Sequence, residues 1–179
     1  MTNSFDNEMT NQTVIILASA RSDGNTAKMA NLIGNHLKAD IIDLRSYQIG
    51  HYDYEHNYTE DDFIELFRNK IIKAETIIFA TPVYWYSMSG RMKVFLDRMT
   101  DLLKIEKDLG RQLRGKNLAV FTTSNGGNLG NDFWRPFVET ADYLGMNYLA
   151  NTHFLEKDIT TADSELDFVN NLLTARTSL

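Results

Sequence analysis

Thr13-Val14-Ile15-Ile16-Leu17-Ala18, then Ser19-Ala20-Arg21-Ser22-Asp23-Gly24-Asn25-Thr26, then a helical pattern through Leu37: the fold turns on this stretch. The apolar run is short, β-branched and free of charge, the signature of a strand buried on both faces of a parallel sheet. Small residues after it let the backbone turn tightly. Gly24, Asn25 and Thr26 fall where the next helix begins, and there unpaired backbone N–H groups point into the loop. An anion placed at that end would meet those donors and the positive end of the helix dipole. It would also meet the hydroxyls of Ser19, Ser22 and Thr26 and a charge-assisted bond from Arg21. The same residue types also make an ordinary capped turn, so the remainder of the chain must decide between the two.

Beyond the loop, Ala30, Ile33 and Leu37 recur at helical spacing, and a helix is expected to end near Lys38. Asp40-Ile41-Ile42-Asp43-Leu44 reads as a short strand. Arg45 to Glu60 shows neither periodicity; it carries Tyr47, His51, Tyr52, Tyr54, His56 and Tyr58, as a lid, a binding surface or a subunit contact would. Phe63, Leu66, Phe67, Ile71 and Ala74 mark a second helix, with Asp61 and Asp62 at its electropositive end. Thr76-Ile77-Ile78-Phe79-Ala80 is the next strand, stopped by Thr81-Pro82. An aromatic loop, Val83-Tyr84-Trp85-Tyr86-Ser87-Met88-Ser89-Gly90, then leads into one helix with inward Met92, Phe95, Leu96, Met99, Leu102 and Leu103. Lys104 to Arg114 is charged and reads as a surface excursion. Asn117 to Thr122 forms a fourth strand, followed by the glycine-rich Thr123-Ser124-Asn125-Gly126-Gly127-Asn128-Leu129-Gly130. Phe133, Phe137, Ala141 and Leu144 give another helix stopped by Gly145. Met146 to Ala150 is a fifth strand, and a last helix from about Thr161 carries Leu166, Val169, Leu172 and Leu173 inward.

Strands alternating with helices imply a parallel sheet covered on both faces, joined by right-handed crossovers. Ligands bind such sheets beyond the carboxyl ends of the strands, where strand order reverses. The three unusual loops follow strands one, three and four, so a single crevice can gather all of them.

Whole-chain properties narrow the chemistry. The chain has 179 residues, 43% hydrophobic and 23% charged, which fits one domain over residues 13–179 with a full core. A net charge of −6 disfavours nucleic acid or an anionic membrane surface as partner. The absence of cysteine removes disulfides, thiolate nucleophiles and cysteine-ligated zinc or iron–sulfur clusters. Met1 to Gln12 is polar, with Asp6 and Glu8; it reads as a disordered tail rather than a secretory signal or transit peptide, and the expected location is the cytoplasm. No uncharged apolar stretch is long enough to cross a bilayer. His51, Asp53, Glu55, His56, Asp61 and Asp62 match no rigid ligand frame and read as a solvated loop, with no metal expected.

A phosphorylated, flat, heteroaromatic ligand suits the three loops together: a phosphate site, then the rings of Tyr84, Trp85 and Tyr86 behind Pro82, then a flexible glycine edge. Flavin mononucleotide (FMN) is such a ligand. The sequence resembles the flavodoxin-like NAD(P)H-dependent FMN reductases and quinone reductases over most of its length, from about Thr13 to Ala150. The resemblance rests on Ser19-x-Arg21-x-x-Gly24-Asn25-Thr26 and on Thr81-Pro82-Val83-Tyr84-Trp85-Tyr86-Ser87-x-Ser89-Gly90 followed by Lys93, Phe95 and Asp97-Arg98. Gly110-Arg111-x-Leu113-x-Gly115-Lys116 and Thr140-Ala141-x-Tyr143-Leu144-Gly145-Met146 add to it. It implies a five-stranded doubly wound sheet of order 2-1-3-4-5 and a homodimer or homotetramer. It also implies an FMN site in which Ser19, Arg21, Ser22, Asn25 and Thr26 hold the phosphate. Pro82, Val83, Tyr84, Trp85 and Tyr86 would border the ring, and Ser124, Gly126 and Gly127 would line its other side. Hydride would pass from NADPH or NADH to the flavin and on to a quinone, free flavin, azo or nitro acceptor, with no side-chain acid or base assigned. Two features depart from the family: the cysteine cluster of one branch is absent, and Asn125 stands where a serine or threonine is expected before the glycines. A non-enzymatic flavodoxin-type electron carrier is the alternative on the same fold. A phosphoacceptor receiver lacks its carboxylates here, since Ala80-Thr81-Pro82 ends strand three and Ser19 to Arg21 follows strand one.

Overall fold

The structure is a computed structural model that describes residues 13–57, 60–157, 159 and 164–177. The expected tail 1–12, Tyr58, and residues 161–163 at the expected start of the last helix lie outside the described residues.

The first apolar run forms β1 (Thr13–Leu17), buried at every position. It lies between β2 (Asp40–Asp43) and β3 (Thr76–Pro82); β4 (Asn117–Ser124) and β5 (Asn147–Leu155) extend the sheet on the far side of β3. All neighbours are parallel, in the order β2-β1-β3-β4-β5. Alternation along β1 divides the core into two layers. Val14, Ile16 and Ala18 face a layer with Phe63, Phe67, Phe79, Phe95 and Phe137. Ile15 and Leu17 face the other, with Met29, Ile33, Phe121, Phe154 and Phe168.

Helix α1 (Asn25–Leu37) starts at the predicted place and ends on Lys38 in the left-handed conformation, whose N–H bonds the Gly34 carbonyl. Gly34 is small for a reason: a Cβ there would come within 3.1 Å of Ile41 Cδ1 from the edge strand. Helix α2 (Asp62–Asn69) is capped as its sequence suggests, the Asp61 carboxylate accepting from the Phe63 N–H at 3.0 Å.

Several boundaries differ from expectation. β3 and β4 both run two residues longer than predicted. Thr81 and Pro82 pair in register with Thr122 and Thr123, and proline is tolerated because it is the last residue of its strand. β5 reaches Leu155, with a bulge opposite Leu118 and Ala119. The single helix expected from Met92 to Leu103 is two: α3 (Gly90–Arg98) and α4 (Asp101–Lys104). Across the break Arg98 and Asp101, three residues apart, pair Nε to Oδ2 at 2.6 Å. The charged stretch after it contains α5 (Lys107–Arg111), where Gly110 packs so closely on α4 that a Cβ would fall 2.2 Å from the Leu102 carbonyl oxygen. Helix α6 (Arg135–Leu144) ends on Gly145 at φ 70°, as predicted. In α7 (Leu166–Thr177) Phe168 is buried in place of Leu173, which is exposed.

The loop read as solvated is anchored by a buried charge cluster. Arg98, 1% exposed, pairs with Asp61 and Asp101 and donates to the Gly50 carbonyl. The His56 ring bonds Asp101 at 2.9 Å, and Tyr52 packs edge-on against both Tyr54 and His56. Burial works against the charge on Arg98, yet the two carboxylates hold its pKa above the ordinary value.

Candidate functional site

The carboxyl ends of β1, β3 and β4 emerge side by side, and buried hydroxyls lock their loops together. Thr26, in the first turn of α1, shares a 2.6 Å hydrogen bond with Thr123 of β4, both buried. Ser89 caps α3 through the Met92 N–H, donates to the Ala18 carbonyl at 2.6 Å, and donates from its own N–H to Thr81 Oγ1. Thr122 in turn donates to the Thr81 carbonyl. These bonds give the three loops a common rigid base.

In the first loop, Gly24 occupies the N-cap position of α1 with no side-chain cap, so the opening amides of the helix are left for another acceptor. Arg21 lies over that end: a Cβ on Gly24 would meet its Nε and Nη2 at 3.5 Å each. Arg21 is exposed and forms no ion pair with the described residues. Ser19 is buried, its Oγ 3.4 Å from the Arg21 N–H, whereas Ser22 is exposed and Asn25 half-buried. Free amides, a hydroxyl-rich turn and an unpaired guanidinium form a donor set suited to a phosphate.

The second loop makes a tight antiparallel turn. Tyr84 and Ser87 exchange both backbone hydrogen bonds, at 2.9 and 3.1 Å, and the two residues between them, Trp85 at φ 50° and Tyr86 at φ 63°, are both left-handed. Side chains of this bulk rarely adopt that conformation, so the turn carries backbone strain. It leaves Trp85 94% exposed and Tyr86 73% exposed beside the crevice. Pro82 is buried at the base of the turn and Val83 half-buried.

The second and third loops together enclose a crevice of about 330 Å³ lined by Val83, Trp85, Tyr86, Ser124, Gly126, Asn128 and Leu129. A Cβ on Gly126 would meet nothing within 4 Å, so this stretch presents bare backbone to the opening. A larger cavity, about 430 Å³, lies between Thr13, Asp40, Lys70 and Lys73 at the amino ends of the strands, away from all three loops. Sequence reasoning placed the three loops at one end but missed Thr123, whose hydroxyl joins the first loop to the third. It also missed His153, whose ring reaches Ser124 at 2.7 Å from β5; the register of β5 on β4, which sets that contact, depends on the bulge. Among the described residues no cluster of three or more His, Asp or Glu side chains is arranged to hold a metal, and no helix is long and apolar enough to cross a membrane.

Comparison with known proteins agrees with this geometry. The family model described as NADPH-dependent FMN reductase matches residues 12–158. A Bacillus subtilis protein, YwqN, named as an NAD(P)H-dependent FMN-containing oxidoreductase, is 28% identical over 144 residues, 75% of this chain and 79% of the relative. Among solved structures, the Trp repressor binding protein from Bacillus subtilis superposes with a TM-score of 0.66 at 23% identity, over 93% of this chain and 99% of that one. An FMN-dependent NADH-azoreductase from Bacillus anthracis, determined with FMN, gives a TM-score of 0.63 at 13% identity, over 93% and 98%. At these identities the structures speak to the fold alone: it is the flavodoxin-like sheet.

Proposed function

The chain belongs to the NADPH-dependent FMN reductase family, and on that basis we propose that it is an FMN-containing oxidoreductase that draws hydride from NADPH or NADH and reduces a small quinone, free flavin, azo or nitro compound in the crevice beside Trp85. The observation that carries this reading is the pairing of two sites on one rigid base. An uncapped helix end with Arg21 over it stands beside an open crevice walled by an aromatic turn and bare glycine backbone.

When bound, FMN supplies the redox chemistry, accepting hydride and returning electrons to the acceptor. The chain's own contribution is binding and orientation. Ser19, Arg21, Ser22, Asn25 and Thr26 are proposed to hold the phosphate, with the Thr26 side chain acting through its bond to Thr123 and its N–H free for the anion. Pro82, Val83, Tyr84, Trp85 and Tyr86 are proposed for one border of the ring, and Ser124, Gly126 and Gly127 for the other. Backbone amides at the glycine edge favour negative charge on a bound ring, which a hydride acceptor must accumulate. No side chain in the crevice is placed as an acid or base. The exposed Trp85, Tyr86 and Tyr54 supply apolar surface of the kind subunits bury, in keeping with a homodimer or homotetramer.

The test is direct. Purified protein incubated with FMN should retain it through gel filtration, turn yellow and bleach on adding NADPH or NADH without oxygen. Colour should return with a quinone, with parallel lines in a double-reciprocal plot as a ping-pong cycle requires. Protein that takes up no FMN refutes the site. Protein that binds FMN but is not reduced by either nucleotide refutes the enzymatic reading in favour of a carrier.

A further inference from the structure

The glycine edge of the crevice is held by a side-chain relay that runs through His153 of β5 and Ser124. His153 Nε2 lies 2.7 Å from Ser124 Oγ, and Ser124 Oγ lies 2.8 Å from the carbonyl oxygen of Gly126. A carbonyl can only accept, so the single hydroxyl proton of Ser124 goes to Gly126. The serine oxygen must then accept from the ring, and His153 must carry its proton on Nε2. Donor and acceptor chemistry thus sets one direction for the relay: imidazole to hydroxyl to carbonyl.

The direction of these bonds decides how the next peptide is turned. A trans peptide sets its N–H opposite its C=O, so tying the Gly126 carbonyl to Ser124 turns the Gly127 N–H the other way. Among the described residues no acceptor meets that N–H. Two adjacent glycines offer little resistance to rotation of the peptide between them, and nothing stands within 4 Å of the Gly126 Cβ position. The Ser124 bond is therefore what holds this peptide in one of its two orientations. We infer that His153 is a positioning residue for the FMN site: by donating from Nε2 it commits the Ser124 hydroxyl to Gly126, and so keeps the carbonyl of a residue that lines the crevice tied to Ser124 rather than free to face a bound ring. Without it the serine hydroxyl is free to turn to other acceptors, and the Gly126 carbonyl loses its side-chain anchor. A carbonyl at the rim repels the negative charge that reduced FMN carries, so the reduced form is the one penalised. The inference rests on the proposed FMN site.

The experiment has a ligand-free arm and a ligand arm. In the ligand-free protein, above the titration range of imidazole, long-range proton–nitrogen NMR should show the His153 ring protonated on Nε2; protonation on Nδ1 alone overturns the inference. In the ligand arm, His153→Leu should bind oxidised FMN with little change and reduced FMN about fivefold more weakly, the scale of one lost hydrogen bond. For a two-electron couple that is a midpoint potential about 20 mV more negative. His153→Gln, whose amide nitrogen replaces Nε2, should restore both values to within about twofold of the parent. An unchanged potential in the leucine variant, or a glutamine variant as impaired as the leucine variant, overturns the inference. Should the leucine variant not fold, the glutamine variant and the tautomer decide it. Failure of the parent protein to bind FMN instead refutes the site, and the ligand-free arm then still decides whether His153 holds the loop.

Discussion

At the scale of single residues, the molecule buries polar groups of two opposite kinds. Arg98 faces two carboxylates, Asp61 and Asp101, and its guanidinium also stacks over the Phe63 ring at 4.9 Å. Removing it leaves Asp61 without its cation, and Asp101 with only the His56 ring, in a water-poor site; Arg98→Met should cost about 3–5 kcal/mol in urea denaturation. The larger effect should fall on the segment around His56, read as faster amide exchange there than in β1. Tyr148 is the other kind. Its hydroxyl is buried with no partner in good hydrogen-bond geometry among the described residues, and burial pushes its pKa up to about 12 against a smaller lowering from the nearby Asn151 side chain. Because the folded value lies above the unfolded one of 10, its contribution is complete below pH 10 and is lost as pH rises through 12. Tyr148→Phe should therefore leave stability at neutral pH unchanged or slightly higher. It should also flatten the alkaline decline between about pH 10 and 12 by on the order of 1–2 kcal/mol, followed by denaturant titration at each pH.

At the scale of elements, the turn after β3 carries a cost that the fold itself does not require. Trp85 and Tyr86 both sit at positive φ, where hairpin turns ordinarily place Asn and Gly. Trp85→Asn combined with Tyr86→Gly should raise stability by about 1–2 kcal/mol while weakening FMN binding at least tenfold, measured by thermal melts and by quenching of flavin fluorescence. A stability gain with undiminished binding would show the aromatics to be dispensable to the crevice. How far the elements could be read from sequence comes down to the same physics. β1, α1 and the faces of α2 and α6 were legible because burial imposes strict periodicity and capping residues stand at their ends. The break between Arg98 and Asp101 was not, since Met99, Leu102 and Leu103 continue the apolar spacing across it and Met99 and Thr100 keep helical dihedrals; only the hydrogen bonds tighten there to i→i+3. The extension of β5 to Leu155 was hidden because it lies at the sheet edge and Asn147 to Leu155 is only partly buried. The gathering of the three loops at one end of the sheet was legible; the contacts of the Thr123 hydroxyl and the His153 ring were not, because both depend on strand register, which local sequence does not specify.

At the scale of the whole molecule, the site is a property of the sheet rather than of any one segment. The first loop is fastened to β4 by Thr26 and Thr123, to α3 by the bond from Ser89 to Ala18, and to β3 by the Ala18 N–H donating to the Ala80 carbonyl at 2.8 Å. Both core layers meet beneath these contacts, in β1 and β3. A ligand that bridges the loops therefore binds the native state alone, since unfolding separates residues as distant in sequence as Thr26 and Thr123. Linkage then gives the size of the effect: FMN at about a hundred times its dissociation constant adds about 2.7 kcal/mol, and a chain of this length gains about 2–4 °C per kcal/mol. The melting temperature should rise by about 5–10 °C with FMN. Arg21 isolates the binding contribution, because it is exposed and pairs with no described residue. Arg21→Ala should melt within about 1 °C of the parent without ligand, yet lose at least half of the FMN-induced rise at the same FMN concentration, with most of it recovered as FMN is raised further. A variant that melts early without ligand would instead make Arg21 part of the fold. An undiminished shift would place the phosphate elsewhere than the amino end of α1.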